Sequence, residues 1–112
     1  MKQTGKSGGI PFDEIRLHFL KDPKRADFTL KLALKEFEED GDVNALLDTL
    51  RLIAQAQGGL AKLARDTTIS RKALHEALSS DGNPRLRTFQ SVLEALGIKM
   101  SLKPAHSHAP AR

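Results

Sequence analysis

The sequence predicts a mainly α-helical fold: a five-helix domain with one or two short β-strands at its ends. Three observations lead to this prediction. Apolar residues recur at helical spacing through most of residues 22–96. Residue types that start or stop helices stand between these apolar stretches. The last apolar residues of the chain instead alternate with polar ones, which is typical of a strand.

The first predicted helix covers residues 23–40. Asp22 is a suitable N-cap, Pro23 suits the first helical position, and Gly41 suits the position just past the end. The spacing of the apolar residues gives this helix one face that we expect to be buried, formed by Ala26, Leu30, Ala33, Leu34 and Phe37.

Four further helices are predicted after it, over residues 43–57, 60–66, 71–79 and 86–96. Asp42 can cap the first of these, and Gly58 with Gly59 ends it. We expect its core stripe to be Val43, Leu46, Leu47, Leu50, Ile53 and Ala54. In the last helix the residues expected to face inward are Leu86, Phe89, Val92, Leu93 and Leu96.

A strand is predicted over residues 98–103, where apolar and polar side chains alternate. A single strand leaves its backbone groups unpaired, so it needs a partner. The partner is either residues 14–20, which also alternate, or the same strand of a second chain. Residues 12–20 fit a helix as well, through Phe12, Ile15 and Phe19.

Residues 1–11 and 104–112 are rich in Gly, Ser, Pro and Ala, and we expect both to be disordered tails around a single domain over 12–103. The absence of cysteine excludes disulfides, thiol catalysis and cysteine zinc sites. No run of eighteen apolar residues occurs, and the N-terminus lacks the apolar core of a signal peptide. We therefore expect a cytoplasmic protein.

Charge divides the chain into an acidic part and a basic part. Residues 22–57 contain five basic and eight acidic side chains, whereas residues 58–103 contain eight and four. This asymmetry indicates an anionic partner for the second part. No Ser/His/Asp set, phosphate-binding loop or metal-ligand spacing appears, so the sequence predicts neither an enzyme nor a metal or other cofactor. His106 and His108 lack a third ligand.

Residues 60–79 fit a helix-turn-helix, in which two short helices meet at a steep angle. Such a motif needs a small residue where the helices cross, a cap on the second helix, and apolar residues that lock the corner. Ala64 is the small residue and Ser70 is the cap. The lock is formed by Leu63, Ile69, Leu74 and Ala77. Thr68 stands where glycine commonly makes the turn, and Thr67 occupies a position that is usually apolar.

The stretch LAKLARDTTISRKALHEALSSDGNPRLRTFQSVLEALGIKMSL resembles the Xre/phage-repressor type of helix-turn-helix, particularly over residues 82–89. With the helices that precede it, the whole of 12–103 is similar to HigA-type addiction-module antidote proteins. The resemblance implies a homodimer that binds double-stranded operator DNA and represses its own operon. It also implies that the protein neutralises a small RelE/ParE-like toxin.

The second helix of the motif carries polar side chains on its outward side. Arg71 and Lys72 lie at its start, where side chains reach base edges first. Basic residues on the first helix and at the start of the next helix suit phosphate contacts. The predicted DNA-binding residues are Lys62, Ser70, Arg71, Lys72, His75, Ser79, Arg85 and Arg87.

Two other interpretations remain at this stage. The chain could be a free-standing phage-type regulator without a toxin, or a protein-interaction adaptor whose helix-turn-helix is structural. Phe28 and Leu32 lie opposite the buried face of their helix, and the N-terminal segment or a second copy is expected to cover them rather than a toxin. The acidic residues between Glu36 and Asp42 are interpreted as an exposed helix end, although they oppose the helix dipole.

Overall fold

The computed structural model describes residues 12–79 and 82–100. These residues form six α-helices and, within the two described ranges, no strand. The mainly helical fold class is therefore confirmed, but the number of five helices is wrong. The helices are α1 (Phe12–Leu20), α2 (Pro23–Asp40), α3 (Val43–Ala56), α4 (Gly59–Thr67), α5 (Arg71–Ala77) and α6 (Leu86–Ala95). None of the described helices is long and apolar enough to cross a membrane.

The additional helix is α1, because residues 12–20 adopt the helical alternative rather than the strand. Asp13 and Glu14 lie in its first turn, where negative charge is favourable to the helix dipole. A strand formed by 98–103 consequently cannot pair with 14–20. Residues 98–100 have no regular structure, and residues 101–103 lie outside the described ranges, as do both predicted tails.

Caps define α2 and α3 as the sequence predicts. The backbone N–H of Lys24 donates to the Asp22 carboxylate at 2.9 Å, and that of Ala45 donates to Asp42 at 3.1 Å. Between the two helices Gly41 adopts a φ of 68°, a left-handed conformation that glycine accepts without strain. The two helices therefore turn back on each other over two residues.

Helix α3 is the centre of the fold, since it packs against α1, α2 and α4. Leu47 and Leu50 of this helix are completely buried, and Leu30 of α2 lies against the same core. Burying a leucine side chain contributes about 1.5–3 kcal/mol to folding. The second part of the core lies where α4 contacts α5 and α6, and includes Leu74 and Leu93.

Two residues expected in the core are exposed instead. Val43 is 42% exposed and Leu86 is 68% exposed. Each is the first residue of its helix, so it lies before the helical turns that pack against neighbouring helices. Conversely, Leu78 is buried directly after α5, although the sequence did not single it out.

Two polar side chains, one in α3 and one just past its end, form hydrogen bonds to other parts of the chain. The Gln57 amide, just past α3, donates to the carbonyl oxygen of Leu20 at 2.7 Å and to that of Lys21 at 3.1 Å. Nη1 of Arg51 donates to the carbonyl oxygen of Leu78 at 2.7 Å. These bonds connect α3 to the turn between α1 and α2 on one side and to the end of α5 on the other.

Candidate nucleic-acid interface

The turn between α4 and α5, where the sequence predicts a helix-turn-helix, contains a residue in the left-handed conformation. Thr68 adopts a φ of 61°, and its N–H donates to the carbonyl oxygen of Ala64 at 2.9 Å. Threonine therefore takes the left-handed conformation that glycine usually supplies here. A positive φ is strained for a β-branched residue, so the surrounding contacts must enforce it.

Thr67 explains how a polar residue occupies the position that is usually apolar. Its hydroxyl donates to the carbonyl oxygen of Leu63 at 2.8 Å and accepts from the N–H of Ile69 at 3.2 Å. Both bonds satisfy the hydroxyl inside the corner, so no polar group is left unpaired there. The side chain stabilises the turn through hydrogen bonds instead of apolar packing.

Three of the four predicted lock residues, Leu63, Ile69 and Leu74, belong to the hydrophobic core or pack against it, whereas Ala77 does not. Leu63 and Leu74 are 4% and 0% exposed, and Ile69 and Ala64 are half-buried against them. The Ser70 hydroxyl accepts from the N–H of Ala73 at 3.0 Å, which confirms it as the N-cap of α5. Helix α5 is thereby fixed in angle and position against α4.

The outward side of α5 presents Arg71, Lys72 and His75, all of them exposed. None of the three makes an ion pair with a carboxylate in the described parts of the chain. Glu76 is exposed on the same helix and is the one acidic residue among its seven positions. The side chains near the N-terminal end of α5 are therefore available to an anionic partner.

Ser79 and Gly82, which follow α5 in the sequence, determine how the chain leaves α5 towards α6. The Ser79 hydroxyl donates to the carbonyl oxygen of Glu76 at 2.8 Å, so this predicted DNA contact also closes the end of α5. Gly82 lies so close to that end that a Cβ atom would stand 2.3 Å from the carbonyl oxygen of Ala77. A glycine is required there because a side chain would displace the helix.

Arg85 and Arg87 flank the start of α6 and are both exposed. Arg85 occupies the N-cap position with extended backbone angles but makes no side-chain capping bond. The first N–H groups of α6 therefore have no side-chain acceptor at the cap. Two cations beside these groups form a positively charged helix start.

Lys62 is the predicted site residue that fits least well. Its ammonium group is 2.8 Å from the Asp66 carboxylate, and it lines a cleft shared with Asp27 of α2. By contrast Arg65, three residues further along α4, is exposed and has no ion pair among the described residues. Arg65 was not among the residues predicted from the sequence, although its spacing from Lys62 places it on the same side of α4.

The described residues do not meet the requirements of a metal site. No group of three His, Asp or Glu residues there could hold a metal ion, and no polar or charged residue there is buried. His106 and His108 lie outside the described ranges. The site is therefore a charged outer surface, which suits contact with a macromolecule better than chemistry on a small substrate.

Comparisons with known proteins agree with the antidote part of the sequence analysis. The profile of a family described as probable addiction module antidote protein matches residues 23–104. A protein of Haemophilus influenzae that bears the name "Uncharacterized protein" is 34% identical over 74 residues, which cover 66% of this chain and 75% of that protein. No solved structure matched the chain.

Proposed function

This chain belongs to the family of probable addiction module antidote proteins, and we propose that it is the DNA-binding antitoxin of a type II toxin–antitoxin pair. In this proposal it binds operator DNA as a cytoplasmic homodimer and represses its own operon. Its helix-turn-helix is of the Xre type found in HigA-type antidotes. The protein partner is a RelE/ParE-like toxin, which the antitoxin neutralises, and the chain itself is not an enzyme.

The exposed cations of α5 carry the DNA-binding part of this proposal. Arg71 and Lys72 are the first two residues of α5, directly after its Ser70 cap. Arginine can donate two hydrogen bonds to one guanine, so Arg71 is the candidate for base readout. A helix of seven residues presents few side chains to one groove, which favours a dimer with two half-sites.

The cations around α6 supply the backbone contacts. Arg85 and Arg87 approach phosphates beside the uncapped start of α6, and the hydroxyl of Ser70 contacts a phosphate at the start of α5. His75 lies further along α5 and Ser79 lies just past its end, and both add polar contacts to the DNA. Lys62 joins the interface when its ion pair with Asp66 opens.

Salt dependence tests the phosphate contacts. Each phosphate contact contributes about 0.9 to the slope of log affinity against log salt. Replacing Arg85 and Arg87 together by alanine removes two contacts from each subunit, so it should flatten the slope by about 3.6 for the homodimer while sequence preference is retained. The matched control is the replacement of Lys21 and Lys31, two exposed cations of the N-terminal helices and their connection that should leave the slope unchanged. An unchanged slope in the α6 variant would contradict the phosphate contacts.

A second experiment separates the antitoxin from its two rivals. A small RelE/ParE-like protein encoded in the neighbouring reading frame should arrest growth alone and become harmless when this chain is co-expressed. A free-standing regulator would bind a defined operator but have no such neighbour. An adaptor whose helix-turn-helix is structural would show no salt-dependent binding to DNA. That result would contradict the proposal.

A further inference from the structure

Apart from Arg25, which contacts Phe19 of α1, the side chains on the side of α2 opposite the core have no partner in the described parts of the chain. We call this side the outer face of α2: Lys24, Arg25, Phe28, Leu32, Lys35, Glu36 and Glu39. Phe28 is 66% exposed and Leu32 is 46% exposed, four residues apart at the middle of the helix. Ala26 and Leu30 of the same helix are buried on its other side. Two large apolar side chains thus stand in solvent, flanked by charges.

The charges along this face run against the helix dipole. Lys24 and Arg25 stand at the N-terminal end, where the dipole is positive, and no acidic residue lies in the first turn. The C-terminal end carries Glu38, Glu39 and Asp40 and has no basic residue in its last turn. At the N-terminal end the Asp22 carboxylate, which caps the helix and lies 3.5 Å from Arg25, is the one acidic partner, and the C-terminal end has no basic partner among the described residues.

We propose that the outer face of α2 binds the same face of a second copy, with the two helices antiparallel and the two-fold axis beside Leu32. A two-fold interface must complement itself, and this face does. An antiparallel arrangement centred on Leu32 puts Lys24 and Arg25 of one copy opposite Asp40 and Glu39 of the other. Leu32 meets its own counterpart at the axis, and Phe28 packs beside it.

Arg25 extends this surface onto α1. Its Nε donates to the carbonyl oxygen of Phe19 at 2.7 Å, and its guanidinium lies 4.8 Å from the centre of the Phe19 ring. Phe12, Ile15 and Phe19 recur at helical spacing along α1 and are all exposed. Their area adds to that of α2, which brings the contact closer to the ~800 Å² per partner of a stable interface.

Other segments of this sequence are poor candidates to cover the face. Among residues 1–11 and 101–112 the large aliphatic side chains are Met1, Ile10 and Leu102. They are too few to cover Phe28, Leu32 and the α1 row. A second copy, in contrast, supplies both the apolar area and the reversed order of charges.

This interface rests on the homodimer of the proposed function, and the first test is sedimentation equilibrium of the whole chain without DNA. Leu32→Glu introduces two carboxylates at the axis, so dimerisation should weaken by about a hundredfold. The matched control is Leu86→Glu, which changes an exposed leucine of α6 in the same way and should leave dimerisation unchanged. The reverse result would place the interface at α6 and overturn the proposal.

Charge reversal tests the antiparallel direction. Lys24→Glu and Asp40→Lys should each weaken dimerisation by about tenfold, because each puts like charges opposite each other. Mixing the two variants should restore association, since the heterodimer pairs opposite charges at both ends. Variants that fail to rescue each other would exclude this arrangement. Circular dichroism confirms that each variant is folded.

Operator binding, measured on the same proteins, separates this interface from the proposed function. If dimerisation persists in Leu32→Glu, the interface is wrong while the homodimer stands. If the wild-type chain is monomeric with and without operator, the homodimer fails together with the interface. If the dimer behaves as expected but no operator binds, the interface stands and the repressor function fails.

Discussion

The three N-terminal helices and the three C-terminal helices share a core but present different surfaces. Residues 12–57 contain seven basic and ten acidic side chains, whereas residues 58–100 contain seven and four. Seven large apolar side chains are exposed in the described residues, and six of them belong to α1–α3. The exception in the second group is Leu86 at the start of α6.

This difference indicates that the two groups of helices in this chain of 112 residues suit different kinds of partner. Exposed apolar side chains flanked by both charges suit a protein partner, whereas exposed cations at helix starts suit phosphates and base edges. A small domain cannot bury all of its apolar residues, so the positions of the exposed ones are informative. Here most of them lie on the helices that do not carry the helix-turn-helix.

The largest effect is expected in the core that the two groups share. Leu50→Ala removes a completely buried side chain of α3 and should lower the free energy of unfolding by about 2–5 kcal/mol. Because α3 packs on α1, α2 and α4, both groups should unfold in a single transition. Urea denaturation followed by circular dichroism and by amide chemical shifts measures this. Two separate transitions would show that the groups are independent domains.

A smaller effect should distinguish the two surfaces. Arg71→Ala should cost about 1–3 kcal/mol in operator binding and much less on random DNA, because a base contact is lost. Lys21→Ala removes an exposed cation between α1 and α2 and should change neither affinity. Fluorescence anisotropy with both DNAs gives the values. Equal losses on both DNAs would make Arg71 a phosphate contact.

Matching helix caps offer a sharper comparison. Ser70→Ala and Asp42→Ala each remove a side-chain acceptor from the start of a helix, α5 and α3 respectively, and each should cost about 1 kcal/mol of stability. Operator affinity at a temperature where both variants are folded should fall for Ser70→Ala and not for Asp42→Ala. A fall in both would mean that the caps act on DNA binding through stability.

The smallest effect is expected at the turn of the helix-turn-helix. Thr68→Gly should stabilise the fold by about 0.5 kcal/mol, because relief of the positive φ outweighs the greater freedom of glycine in the unfolded chain. Operator affinity should stay unchanged, since the turn already has the required geometry. Thermal denaturation provides the measurement. Destabilisation would show that the Thr68 hydroxyl, which bonds to the carbonyl of Thr67, matters more than the strain.

The sequence predicted the elements whose signals are local. Asp22, Asp42 and Ser70 cap helices as expected, because a cap depends on residues two or three positions away. Residues 12–20 gave two periodicities at once, and packing against α2 and α3 decided between them. Val43 and Leu86 were misassigned because periodicity shows the face of a residue but not whether a neighbour reaches that end of the helix.

The sequence could predict which residue types form the candidate site, but not which of the cations have an ion-pair partner in the folded chain. Arg71, Lys72 and His75 are exposed as expected. Which cations have an ion-pair partner depends on side-chain geometry, so the pairing of Lys62 with Asp66 and the availability of Arg65 appear in the structure alone. Gly82 likewise looked like an ordinary turn residue until its distance from Ala77 was known.

The bond from Arg51 to the carbonyl oxygen of Leu78 has a thermodynamic consequence. It connects α3, which packs against α1 and α2 on its other sides, to the C-terminal end of α5, the helix proposed to face DNA. A protein that binds the N-terminal helices and displaces α3 would therefore alter the free energy of operator binding. Linkage is reciprocal: operator DNA must then change the affinity for that protein by the same factor. Occupancy of the promoter would report how much of the partner is present.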